Sequence, residues 1–306
     1  MQAMVADGSG SVRLDQVAEP EPAADEAVIS VSAFSVNRGE TFLVDDPPPG
    51  WRPGKDVAGT VLVPAADGTG PQAGQRVVGH PPAAGWAERV AVPASALAAL
   101  PDSIDFRTAA ALPLAGLTAL RLLRVTGSLA GQRVLLTGAS GGVGHYVTEL
   151  AAAQGAVLTA VARSSERGER LRELGAAEVV SDVEQARGPF EVILESVGAD
   201  VLPAAWRRLT IRGLLVWFGQ ASRVPPAMNF FDWTGGASAT MRKFHYADSE
   251  STDAADLATL VRLVDGGHLH PEIGRVSDWR RTAEVVRALV TRQIRGKAIL
   301  ELEATR

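Results

Sequence analysis

Ala139, Gly141 and Gly144 stand at the spacing A-x-G-x-x-G within residues 134–144, VLLTGASGGVG. Residues 134–136 are β-branched and leucine-rich, as a strand buried on both faces should be, and Val147, Leu150 and Ala151 continue at helical spacing. Strand, glycine turn and helix in that order make a phosphate cradle. The stretch Ser140, Gly141, Gly142, Val143 and Gly144 would carry it: Gly141 lets the backbone approach a pyrophosphate, Gly144 lets the helix pack on the strand. The helix's first amides, which have no partner inside the helix, face the anion. The pattern predicts dinucleotide binding.

The end of the next strand selects the dinucleotide. Residues 157–161 (VLTAV) read as that strand, and an NAD site would place Asp or Glu after it to bind the ribose hydroxyls. Instead the chain continues Ala162, Arg163, Ser164, Ser165, Glu166, Arg167. Arg163 and Arg167 can neutralise a 2'-phosphate that Ser164 hydrogen-bonds, which favours NADPH. The alternative is a solvated basic helix start, since Arg170 and Arg172 follow on the same segment.

The elements that must position these residues fall into three segments. Up to about residue 99 the chain has short apolar runs at 27–33, 57–63, 76–79 and 87–92, broken by Pro, Gly and Asp. That texture predicts a barrel-like, mainly antiparallel domain. From about residue 108 to 266 a helix at 109–123 is followed by strands at 134–136, 157–161, 178–180, 192–195, 214–218 and 238–244, alternating with helical patterns. This is the rhythm of a doubly wound parallel sheet, the Rossmann architecture. A helix at 279–291 and a strand at 297–302 close the chain, and the strand is expected to return to the first domain. The expected division is a substrate domain of residues 1–106 and 267–306 around a cofactor domain of residues 107–266. The proline-rich stretch 47–53 reads as a loop.

Composition narrows the function classes. The chain has 306 residues, 46% of them hydrophobic, enough for two cored domains. Its net charge of -5, with acids and bases interspersed, argues against a nucleic-acid surface. The N-terminus lacks a basic start and an apolar stretch, and no window is long and apolar enough to span a bilayer, so a cytoplasmic protein is expected. Cysteine is absent, which removes disulfides, thiol nucleophiles and thiolate zinc ligands, and no metal is expected. His268 and His270 form an H-x-H pair without a neighbouring carboxylate and read as structural. A Tyr/Lys pair four residues apart is missing too: Leu150 follows Tyr146 and Glu250 follows Tyr246 at that spacing.

Further motifs complete a pattern: Ser35-Val36-Asn37, Pro53-Gly54-Lys55-Asp56-Val57-Ala58-Gly59, Gly85-Trp86-Ala87-Glu88, Leu112-Pro113-Leu114-Ala115-Gly116-Leu117-Thr118-Ala119, Leu174-Gly175-Ala176, Ser196-Val197-Gly198 and Gly296-Lys297-Ala298. In this order they resemble the zinc-independent branch of the medium-chain dehydrogenase/reductase superfamily, the quinone oxidoreductases and enoyl reductases, over nearly the whole chain. The resemblance implies a GroES-like barrel built from both chain ends around an inserted Rossmann domain, an active site in the cleft between them, and a homodimer formed through the last strand of the cofactor sheet, here 238–244. It also implies that Asn37 faces nicotinamide and substrate. Ser196, Val197 and Gly198 would pass the cofactor, Phe218 and Gly219 would approach the nicotinamide, Leu117 and Thr118 would lie near the diphosphate or nicotinamide, and Lys297 near the end of the cleft. Asn37 and Phe218 could equally be a turn residue and a core residue. The chain departs from the family where Arg38, Gly39 and Glu40 follow Asn37, and where no tyrosine stands between Glu40 and Trp51.

Hydride transfer to a quinone or an α,β-unsaturated carbonyl needs alignment and a donor for the charge developing on an oxygen. The Asn37 amide and the Arg38 guanidinium are the candidate catalytic donors, and an arginine there would also suit an acidic or phenolic acceptor. The other class to weigh is an NADPH-binding sensor or accessory protein without turnover.

Overall fold

The computed structural model describes residues 1–232 and 234–302. Among them the chain forms two compact units, Met1–Leu117 with the chain from Glu250 onward, and Thr118–Ser249.

The first unit is β-rich. β1 (Gln2–Ala6) and β2 (Val12–Gln16) form an antiparallel ribbon. Then come β3 (Glu26–Val36), α1 (Arg38–Asp45), β4 (Asp56–Val63), β5 (Arg76–Gly79), β6 (Arg89–Pro93), β7 (Leu97–Ala99), α2 (Phe106–Ala110) and α3 (Pro113–Thr126), which runs across the boundary. β3, β4, β5 and β6 follow the apolar runs at 27–33, 57–63, 76–79 and 87–92, whereas β1, β2 and β7 were not read from the sequence. The helix expected at 109–123 is two helices, because Pro113 cannot donate a backbone hydrogen bond and disfavours helical geometry in the residue before it. α1 was not anticipated from the sequence.

The second unit contains β8 (Arg133–Leu136), α4 (Gly142–Ala153), β9 (Val157–Val161), α5 (Ser165–Glu173), β10 (Glu178–Val180), β11 (Phe190–Glu195), α6 (Val201–Trp206), β12 (Leu209–Trp217) and β13 (Thr240–Lys243). Its six strands are all parallel, in the order β10-β9-β8-β11-β12-β13. That is the doubly wound order in which the topology reverses between β8 and β11, and ligands bind at such a reversal outside the carboxyl ends of the strands. Leu135, Phe190, Ile193, Leu209 and Leu215 form part of its core.

The chain then returns to the β-rich unit through α7 (Asp253–Asp265), β14 (Ile273–Asp278), α8 (Thr282–Val290) and β15 (Lys297–Glu301). β15 pairs antiparallel with β3, giving a sheet ordered β14-β15-β3-β4-β5-β7, with β6 also on β3. The return of the last strand therefore follows the sequence expectation. The compact units divide after Leu117 and before Glu250: α7 packs on β7 and on the turn Ala94–Ala96, and Leu260 lies against Gly116. β14 forms close after the polar stretch around His268 and His270, with Arg275 and Ser277 paired to Ala298 and Leu300. Phe34 and Trp86 stack at 5.7 Å in the core of this unit, and Trp86 Nε1 donates to the Ser35 carbonyl at 3.0 Å.

Candidate active site

The glycine turn is built at the carboxyl ends of β8 and β11. Leaving β8, Gly138 adopts φ +62°, the left-handed region open to glycine, and a Cβ on it would press on Ser196 Oγ. Gly141 N–H donates to the Gly138 carbonyl at 3.0 Å, and Gly141 is the extended N-cap from which α4 starts. A Cβ on Gly144 would collide with the Ala139 carbonyl, so only glycine lets the helix approach the turn this closely. At Gly141 a Cβ would meet nothing of the protein but the Gly138 carbonyl, at 3.3 Å. That opening over α4's first amides is the cradle a diphosphate fits.

Beside the turn, Thr137 Oγ1 donates to Glu195 Oε1 at 3.1 Å and accepts from the Ser196 N–H at 3.0 Å. Glu195 Oε1 also accepts from Val197 N–H (2.6 Å) and Gly198 N–H (3.1 Å). Burial pushes the Glu195 carboxyl above its ordinary value against these donors. The carboxylate thus fixes the loop of Ser196, Val197 and Gly198 against the start of the turn. Phe218 N–H donates to the Glu195 carbonyl at 2.9 Å, and Gly219 packs on Ser196. Phe218 is half-buried. Sequence-predicted Ser140, Gly141, Gly142, Val143 and Gly144, the 196–198 loop, Phe218 and Gly219 are therefore brought together at adjacent strand ends.

Arg163 and Ser164 follow β9 and are exposed, and Ser164 Oγ caps α5 by accepting from Arg167 N–H at 3.4 Å. The residue that follows the strand is Ala162, and no acid stands there. Leu117 is fully buried and Thr118 nearly so, both within α3.

Asn37 and Lys297 meet in the β-rich unit, in a buried polar cluster. Lys297 Nζ donates to Asn37 Oδ1 (2.5 Å) and Asp56 Oδ2 (2.9 Å). Asn37 Nδ2 donates to Asp56 Oδ2 at 2.7 Å and, more weakly, to Glu40 Oε2 at 3.3 Å. Lysine can only donate and carboxylate only accept, so the amide orientation is fixed by chemistry. Ser35 Oγ adds a third donor to Asp56 Oδ2 (2.5 Å), and Leu114 N–H donates to Asp56 Oδ1 (2.8 Å). His80 Nδ1 donates to the Lys55 carbonyl at 2.6 Å and lies 3.7 Å from Asp56 Oδ1. Glu40 accepts from Asn37 N–H (2.9 Å) and Gly54 N–H (2.8 Å). Burial is the strongest single influence on Asp56 and opposes its ionisation, yet the Lys297 ammonium, His80 and Ser35 together hold its carboxyl well below the ordinary range. Glu40 goes the other way: burial first, then the Asp56 charge, pushes it up to about 7.

Arg38 lies apart from this cluster. Its Nη1 donates to the Leu289 and Val290 carbonyls, both at 3.2 Å, at the end of α8. A cation there meets the negative end of a helix, so the side chain fastens α1 to α8. As placed, both Asn37 amide protons and Arg38 Nη1 are engaged with the protein. Sequence reasoning missed Asp56, Glu40, Ser35 and His80. The spacing N-x-x-E from Asn37 to Glu40 is a helix-start signal that could have found Glu40, and an aspartate opening an apolar strand could have flagged Asp56.

Residues 142–264 match the family model described as zinc-binding dehydrogenase. The quinone oxidoreductase of Pseudomonas aeruginosa is 31% identical over 304 residues, covering 93% of each chain. The chain belongs to the quinone oxidoreductase family. It is an oxidoreductase of the zinc-independent branch of the medium-chain dehydrogenase/reductases. The 2-haloacrylate reductase of a Burkholderia species is 28% identical over 238 residues, with 72% of this chain and 71% of that one covered. The Escherichia coli quinone oxidoreductase, solved in complex with NADPH, superposes with a TM-score of 0.87 at 23% identity, over 98% of this chain and 99% of that one, and shares the fold. In this member of the quinone oxidoreductase family, no group of three or more His, Asp or Glu side chains suited to a metal ion occurs among the described residues. No helix among them is long and apolar enough to cross a membrane.

Proposed function

We propose that the protein is an NADPH-dependent reductase that passes hydride to a quinone or to the C=C bond of an α,β-unsaturated carbonyl compound, without zinc. The observation that carries this reading is the open Gly141 cradle over α4, flanked at the end of β9 by Arg163, Ser164 and Arg167 in place of an acid. When bound, the reduced nicotinamide supplies the hydride. The chain's part is to bind and align: the turn and α4 hold the diphosphate, Arg163 and Arg167 meet the 2'-phosphate, and the 196–198 loop and Phe218 shape the surface beyond it. The similarity to a quinone oxidoreductase and to a 2-haloacrylate reductase supports both acceptor classes.

In the β-rich unit Asn37 is the polar group proposed to meet the acceptor oxygen. Its 3.3 Å bond to Glu40 is the longest it makes and the one an acceptor oxygen displaces most cheaply. Lys297 and Asp56 hold the amide in place while that happens. We also propose a homodimer across β13, whose four residues are all exposed at the end of the parallel sheet.

The test is NADPH consumption without oxygen, with a small quinone and an acyclic enone offered separately. Consumption with either supports the reading and names the acceptor class. Tight NADPH binding with consumption of no acceptor would replace it by the sensor or accessory role. Sedimentation at twice the 32.0 kDa chain mass is expected, and a monomer would remove the dimer.

A further inference from the structure

We propose that Glu195 is a proton-linked positioning residue of the cofactor site: the chain takes up a proton at this carboxylate when a dinucleotide binds the glycine turn, and cofactor affinity therefore falls as pH rises. This rests on the NADPH reading of the turn and adds a regulation to it.

Glu195 ends β11 and is fully withdrawn from water. Two short links tie it to the cradle. Thr137 Oγ1, which donates to Glu195 Oε1 at 3.1 Å, belongs to the residue before Gly138, and the Gly138 carbonyl accepts from Gly141 N–H at 3.0 Å. Ser196, the next residue after Glu195, donates from Oγ to the Thr137 carbonyl at 3.3 Å, and a Cβ on Gly138 would come within 2.7 Å of that hydroxyl. A buried carboxylate is thus bonded to the residue from which the anion cradle starts.

Among the described residues the donors to Glu195 are one hydroxyl and two backbone amides, and no cation is paired with it. The bonds are unevenly shared. Oε1 accepts from Thr137 Oγ1, from Val197 N–H at 2.6 Å and from Gly198 N–H at 3.1 Å, whereas Oε2 has only the outer share of that same Gly198 N–H, at 3.2 Å. A proton can settle on Oε2 with every bond to Oε1 kept, so the 196–198 loop holds its place in either state.

A second anion brought beside a buried carboxylate disfavours its ionised form, as two carboxylates sharing one site do. Burial already draws the Glu195 carboxyl above its ordinary value, and the diphosphate charge acts in the same direction. The carboxylate gains one proton from water on binding and returns it on release. The titratable side chains on the surrounding elements are placed otherwise. His145 of α4 has its Nδ1 at the Gly141 carbonyl (2.9 Å), and Asp200 beyond the loop and Arg242 and Lys243 on β13 are exposed. Arg133 opens β8 and Arg212 lies in the first half of β12, toward the opposite edge of the sheet.

Calorimetric titration of wild type and Glu195→Gln with NADPH and with NADH, each in PIPES and in imidazole at about pH 7, reads proton uptake from the difference in buffer ionisation heat. The glutamine keeps an oxygen for the loop and cannot titrate, so a merely structural role leaves proton uptake unchanged. Wild type is expected to take up about half a proton more per site than Glu195→Gln, with both cofactors, and its Kd to rise roughly tenfold more than the variant's between about pH 6 and pH 8. In wild type alone, infrared difference spectra should gain a protonated-carboxyl band when NADH binds, a readout that does not depend on the variant folding. Equal uptake by the two proteins overturns the inference, as does absence of the band. An excess seen with NADPH alone also overturns it, because that titration belongs to the 2'-phosphate. Wild type that binds neither cofactor removes the NADPH reading itself, whereas binding without the excess uptake removes only the role of Glu195.

Discussion

Lys297 sits 241 positions from Asp56 in the chain and places its ammonium 2.9 Å from that carboxylate, with both side chains almost completely withdrawn from water. The pair joins β15 to β4, and Asp56 extends the link to Ser35, Asn37 and the first turn of α3 through Leu114. A buried pair of this kind specifies geometry more than it adds stability, because much of its attraction offsets lost hydration.

Removing one partner exposes that asymmetry. Lys297→Met should destabilise the protein by about 3–5 kcal/mol, since Asp56 then stays buried without its counter-charge. Adding Asp56→Asn to it should recover part of the loss. Urea unfolding of the single and double variants measures both, and a single-variant loss under about 1 kcal/mol would contradict the description of the pair.

Glu40 makes stability depend on pH. Its carboxyl is held at about 7 in the folded chain against an ordinary 4.5, so between these values the native state carries a proton that the unfolded state has released. This contribution is full below about pH 4.5 and is lost as pH rises through 7, amounting at most to on the order of 3 kcal/mol. Glu40→Gln also disturbs the bonds to Asn37 and Gly54, so absolute stability is a poor readout. The slope is the readout: wild type should lose stability relative to Glu40→Gln from pH 5 to pH 8, and parallel curves would refute the shift.

Two glycines of the cofactor turn should fail differently. Gly144→Ala drives a methyl into the Ala139 carbonyl and should lower the thermal midpoint. Gly141→Ala meets only the Gly138 carbonyl at 3.3 Å, so it should fold close to normally while filling the space of the diphosphate. Calorimetric titration with NADPH is expected to show at least a tenfold loss of affinity for Gly141→Ala, about 1.4 kcal/mol. Unchanged affinity would move the phosphate site elsewhere.

Arg163→Glu places an acid after β9, where Ala162 and Arg163 now stand. The Michaelis constant for NADPH should rise about tenfold or more and that for NADH change little, because only the former has the 2'-phosphate. Equal effects on the two cofactors would leave Arg163 as an ordinary surface cation.

Asn37→Ala removes an amide bonded to Lys297, Asp56 and Glu40. Turnover should fall by about a hundredfold with NADPH affinity nearly intact. A parallel loss of stability is expected, so the comparison is made at a temperature where the variant is folded. Turnover at the wild-type level would take Asn37 out of the reaction.

Local chemistry was legible in the chain. The order of strand, glycine turn and helix around Gly141 follows from backbone sterics and apolar period, which depend on near neighbours, and the arginines after residues 157–161 and the apolar run at 297–302 are read directly; the pairing of that last strand with β3 is a long-range contact. The sequence by itself thus determined a doubly wound cofactor fold inside a β-rich frame. Which polar groups face one another was decided by the tertiary structure. Arg38 adjoins Asn37 in sequence and turns away to the end of α8, while Lys297 arrives from β15, and Asp56 gathers donors from Ser35, Asn37, Leu114 and Lys297. A charged side chain withdrawn from water must find a partner wherever the packed elements bring one, and its nearest neighbours in the chain have no special claim on it.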